Sequence, residues 1–126
     1  MNEFEIKRDI IEAGRRLWIK GYVASNDGNI SARLNEREIF ATATGVSKGF
    51  LKPEHIVKIN YEGKVIGSPT SKPSSEIKMH LQVYKMRRDV NAIVHAHPPV
   101  CTGFAVAGIP LDKCILPEIV TTLGAI

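Results

Sequence analysis

The chain has 126 residues, of which 44% are hydrophobic and 24% charged, with a formal net charge of +4. That length and balance suit one ordinary globular domain with a single core and exclude a disordered chain. Aromatic residues make up only 6% and the basic residues are scattered, so no nucleic-acid surface is expected.

No apolar stretch reaches the length of a membrane span, and the first residues, MNEFEIKRDII, mix charges where a secretion signal would place a basic end before an apolar block. No membrane association and a cytoplasmic location are the expectations. Cys101 and Cys114 have neither CxxC spacing nor a cysteine framework around them, and both read as packing residues. A small anionic substrate would account for the positive charge, although a solvated surface accounts for it better.

In chain order, Glu3 to Lys20 places Ile6, Ile10, Ala13, Leu17 and Trp18 at helical spacing, opens with Asn2 and Glu5 in capping-box positions, and stops at Gly21. The turn cluster SNDGNIS follows, then short strands at Ile30 to Leu34 and Glu38 to Thr42. Further strands are predicted at Ile56 to Asn60 and at Lys64 to Gly67, joined by YEGK. GSPTSKPSSE reads as a loop, and a helix is predicted from Ser74 to about Arg87 with Ile77, His80, Leu81 and Tyr84 on one face. A strand from Val90 to His97 is closed by Pro98 and Pro99; a short helix ends near Gly108 and another starts at Pro117.

The strand NAIVHAHPP ends in two histidines one residue apart. Side chains alternate along a strand, so Asn91, Ile93, His95 and His97 share one side, and residues two apart lie roughly 6 to 7 Å from each other. Two imidazoles at that separation are able to converge on one divalent ion; equally, they are able to be polar residues where a strand emerges into water. The run before them is apolar on both faces, which predicts a buried strand that holds the pair rigidly. In KPSSE, Ser74 and Ser75 are expected at a helix N-terminus, where backbone N–H groups and serine hydroxyls favour an anion, with Glu76 in the first turn as metal ligand or acid/base group. An ordinary helix cap is the other reading of that junction. DGN at 27–29 and ATGVS at 43–47 each offer a glycine beside a hydrogen-bonding side chain. His80 lies on the apolar stripe and reads as buried and hydrogen-bonded, whereas His55 reads as surface.

Taken together, GNIS at 28–31, TG at 44–45, KPSSE at 72–76 with His80 behind it, and VHAHPP at 94–99 resemble, in order and spacing, the class II aldolase/adducin family. The resemblance implies a three-layer α/β/α fold around a mostly antiparallel sheet, one zinc ion per subunit and a homotetramer. By the same resemblance His95 and His97 match zinc ligands. Glu76 matches the carboxylate that binds zinc at rest and then moves protons. Gly28, Asn29, Thr44, Gly45, Ser74 and Ser75 match residues that hold the substrate phosphate. The implied reaction is cleavage of a ketose 1-phosphate, such as L-fuculose 1-phosphate, to dihydroxyacetone phosphate and an aldehyde.

The resemblance also implies a continuation with a third zinc-binding histidine in an HG motif, so residues 1–126 are expected to be the N-terminal portion of one such domain, incomplete at its C-terminal end. Alternatives within the family are sugar-phosphate 4-epimerases, which tend to carry aspartate at the position of Glu76, and dehydratases, which tend to carry alanine at Ser75. A non-catalytic adducin-like interaction domain is a further alternative.

Overall fold

The structure, a computed structural model, describes residues 2–110 and 117–122. Helix α1 (Glu3–Ile19) starts as expected: the Asn2 side chain accepts from the Glu5 backbone N–H while the Glu5 carboxylate accepts from that of Asn2. Strands β1 (Asn29–Arg33), β2 (Glu38–Thr42), β3 (Ile56–Asn60) and β4 (Ala92–His95) form one antiparallel sheet in the order β3-β2-β1-β4. Asn35 organises the β1–β2 turn by accepting from the backbone of Arg37 and Glu38.

Alternation along these strands divides the core. Ile30, Phe40 and Ile56 point to one face and bury Ile6 and Ile10 of α1 together with Leu51. Ile39, Ala41, Val57 and Ile59 point to the other and bury Ile77 and Tyr84 of α2 (Ile77–Met86). Helix, sheet and helix thus make the three layers, and each fully buried Ile or Phe contributes about 1.5–3 kcal/mol. Helix α3 (Pro99–Ala107) ends at Gly108 in the left-handed conformation, and α4 spans Pro117–Thr122.

Several expectations are corrected. Lys64 to Gly67 is not a strand: Val65 makes a lone bridge to Ile59, because the Asn60 side chain closes a tight turn by accepting from Glu62 and Lys64 and the chain then leaves the sheet. Helix α2 begins at Ile77 and not Ser74, because Pro73 bridges to Ala43 and Ser74 N–H donates to the Thr42 carbonyl, which keeps this stretch extended beside β2. The final strand is shorter than predicted and lies at the sheet edge, with Ala92 exposed and Val94 51% exposed, so it is half-covered and not buried on both faces. Trp18 is exposed and packs edge-on against Phe50. His55 is half-buried, its ring accepting from Lys52 N–H. Cys101 is exposed, and no residue of α3 is buried; Cys114 and residues 123–126 lie outside the described residues.

Candidate functional site

The start of β1, the approach to α2 and the end of β4 converge. Asn29 and His95 are direct partners in the β1–β4 register, so their side chains leave the same face of the sheet, the face that α2 covers. Glu76, the residue before α2, reaches both: its Oε2 accepts from Asn29 Nδ2 and lies 3.2 Å from His95 Nδ1. Asn29 Nδ2 is also 3.3 Å from His95 Nδ1.

Gly28 makes this convergence possible. Its φ of +71° is one that L side chains rarely adopt, and a Cβ there would stand 2.7 Å from the His95 carbonyl and 2.6 Å from Val23 Cγ1. The turn therefore presses directly onto β4. His97, beyond the strand end, is fixed by its N–H donating to the Tyr22 carbonyl. Its ring centroid is 5.0 Å from that of His95, and its Nδ1 is 3.8 Å from Asp27 Oδ2.

Beside these groups opens a cavity of about 290 Å³. Gly28, Thr44, Gly45, Ser74, Ser75, Glu76 and His97 line it, joined by Asp27 and Lys48. Three separate loops thus bring hydroxyls, glycine backbone, a lysine and two carboxylates to one small space. A larger groove of about 980 Å³ lies elsewhere, against α2 and the β1–β2 turn. Four of its twelve lining residues are basic, and one of these, Arg33, is already engaged: its guanidinium donates to the carbonyls of Val90 and Tyr84 and to Tyr61. It gathers no carboxylate with an imidazole, so the smaller cavity is the better candidate for chemistry.

Behind the site, His80 is buried as expected. Ser31 Oγ bonds to His80 Nδ1 at 2.7 Å and to Tyr84 OH at 2.8 Å. Burial lowers the His80 pKa to about 4, helped by His95 and opposed by Glu76, and burial raises that of Tyr84 to about 12. Both side chains are neutral near pH 7. His80 Nε2 and Asn29 Oδ1 are buried with no hydrogen-bond partner among the described residues.

A metal would find suitable donor types here, two imidazoles and two carboxylates. They are arranged as two adjoining pairs, Glu76 with His95 and Asp27 with His97, and among the described residues no group of three His, Cys, Asp or Glu is gathered to hold an ion. Sequence reasoning missed Asp27 and Lys48 as cavity residues and the Asn29–Glu76 bond. Asp27 stood inside the quoted DGN turn and was readable there; a lone lysine after a glycine turn carries no pattern.

Residues 8–126 match the family described as the class II aldolase and adducin N-terminal domain. An L-fuculose phosphate aldolase of Methanocaldococcus jannaschii is 38% identical over 96 residues, 76% of this chain and 51% of that protein. A methylthioribulose-1-phosphate dehydratase of Granulibacter bethesdensis is also 38% identical, over 98 residues, 78% of this chain and 45% of that protein. The crystal structure of YgbL from Klebsiella pneumoniae superposes with a TM-score of 0.87 at 29% identity, covering 99% of this chain and 61% of that one. The chain spans about half the length of the curated relatives it matches. With a family match running almost from end to end and a three-layer fold shared with its members, the chain belongs to the class II aldolase and adducin family.

Proposed function

We propose that this chain carries the sugar-phosphate site of a zinc-dependent aldolase that cleaves a ketose 1-phosphate such as L-fuculose 1-phosphate to dihydroxyacetone phosphate and an aldehyde. The observation that supports it most is the Glu76–His95 contact at the rim of a cavity lined by Gly28, Thr44, Gly45, Ser74 and Ser75. Cytoplasmic location and assembly into a homotetramer belong to the same proposal.

In this reading the phosphate lies among the serine and threonine hydroxyls and the glycine backbone, which orients the sugar before reaction, while Asn29, buried and outside the cavity lining, acts through its bond to Glu76. Glu76, His95 and His97 would hold the zinc ion. When bound, zinc supplies Lewis-acid stabilisation of the charge that develops on the substrate oxygens. As the carbon–carbon bond breaks, the hydroxyl that becomes the aldehyde carbonyl gives up its proton, and Glu76 takes up one proton and returns one to the enediolate carbon, so the products are the ketone and the aldehyde with no net gain or loss of protons. The adjoining Asn29 amide steadies that carboxylate while it exchanges protons.

The dehydratase relative makes loss of water the competing reaction. Glu76 with Ser75 before it favours the aldolase. Incubating the active protein with L-fuculose 1-phosphate and with methylthioribulose 1-phosphate separates them: dihydroxyacetone phosphate from the first supports the proposal, and water loss from the second alone overturns it.

A further inference from the structure

Among the described residues lining the cavity, Lys48 carries the one Lys or Arg side chain. It is 2% exposed, and its Nζ donates to the carbonyls of Asn26, at 2.9 Å, and Val46, at 2.6 Å. These carbonyls belong to different loops. Asn26 precedes Gly28 and Asn29, and Val46 follows Thr44 and Gly45, so one ammonium ties together the two turns that flank the cavity. The lysine backbone is also pinned. Gly14 of α1 passes so close that a Cβ there would be 2.6 Å from the Lys48 carbonyl oxygen.

Burying an ammonium is costly, and two neutral carbonyls offset the cost only in part. Burial lowers the pKa of Lys48, while Asp27 and Glu76 raise it. A neutral amide would bridge two carbonyls without that desolvation. A charged group kept in this position therefore has a use beyond tying loops, and an ammonium has three donors, of which the carbonyls take two.

We infer that Lys48 is a substrate-binding residue, the cationic anchor of the cavity, which directs its remaining donor to the phosphate of the bound sugar. The inference rests on the reading of this cavity as a phosphate site. The hydroxyls and amides there supply hydrogen bonds and no charge, and Asp27 and Glu76 repel an anion; Lys48 supplies the compensating positive charge.

The test titrates inorganic phosphate into the chain and into Lys48→Met and Lys48→Arg, with circular dichroism to check folding and NMR to follow the amides of Gly45 and Ser75 and the Lys48 Cε. In the unaltered chain the Gly45, Ser75 and Lys48 signals should move together on one saturation curve. Lys48→Met should weaken phosphate binding about tenfold or more, and Lys48→Arg should restore most of it. Phosphate shifts at Gly45 and Ser75 without any at Lys48, or undiminished binding by a folded Lys48→Met, would overturn this inference alone. Failure of the unaltered chain to bind phosphate would overturn the cavity reading together with it. The Lys48 Cε readout decides the matter even if Lys48→Met does not fold.

Discussion

Glu76 Oε2 lies 3.2 Å from His95 Nδ1, a contact between residues 19 apart in sequence. Asn29 Nδ2 is 3.3 Å from the same ring nitrogen, so His95 Nδ1 either donates to the carboxylate as an N–H or accepts from the amide as a bare nitrogen. The Asn29 amide, paired with His95 across the β1–β4 ladder, holds the same carboxylate oxygen. A sheet register thus sets the neighbours of a site residue.

Glu76→Gln tests the carboxylate. Glutamine retains an oxygen able to accept from His95 but does not exchange a proton, so turnover of the active enzyme should fall on the order of 10²-fold or more while KM changes little. Steady-state kinetics with L-fuculose 1-phosphate measures both. A variant with unchanged kcat would remove Glu76 from proton transfer.

Much of this arrangement was legible in the sequence because it rests on local rules. The capping box of Asn2 and Glu5, and the alternation in β1, β2 and β3, depend on neighbours in the chain. The start of α2 was misread because a long-range contact decides it: the Pro73–Ala43 bridge holds Ser74 extended where helical spacing alone predicts a helix. The exposure of Val94 was invisible for the same reason, since an edge strand and a central strand share one apolar pattern. His95 and His97 were readable as a pair by period, but their separate carboxylate neighbours, Glu76 and Asp27, come from loops brought in by the tertiary fold.

Gly28→Ala should be severe for a change of one methyl. The residue must hold φ +71°, and the new Cβ meets the backbone oxygen of His95 and Val23 Cγ1. Backbone strain and overpacking together predict a loss of about 2–4 kcal/mol. Urea unfolding measures it, and NMR shifts of the His95 amide should report displacement of β4. Gly21→Ala provides a control, because the left-handed φ of +68° is shared but nothing lies within 4 Å of the added methyl. Equal losses in the two variants would show that the close approach at Gly28 contributes nothing.

His80 gives the fold an acid sensitivity. Its folded pKa of about 4 lies below the ordinary value of 6.5, chiefly through burial. Between pH 6.5 and 4 the unfolded state binds the proton that the folded state refuses, so stability falls as the pH falls, with the loss complete below about pH 4. The full contribution is on the order of 3 kcal/mol. Denaturant midpoints from pH 7 to pH 4 should drop less steeply in His80→Gln than in the unaltered chain, although the variant starts from lower stability. Parallel slopes would assign the acid response to other groups.

Zinc binding tests whether the two adjoining pairs act as one centre. Because Glu76 engages His95 and Asp27 stands beside His97, an ion must separate existing partners before it gathers the imidazoles, and affinity in the chain should be modest beside that of a preformed three-donor site. Competition with a chromogenic chelator measures it. His95→Ala and His97→Ala should each weaken binding more than tenfold if both imidazoles are ligands, and the double variant should be no worse than the weaker single one once the centre is lost. His80→Gln is the control for fold, since His80 is bound to Ser31 beneath α2 and is not a ligand in this scheme. Zinc affinity that survives both histidine variants would place the ion elsewhere, whereas loss in His97→Ala alone would point to the Asp27–His97 pair as the site that captures it.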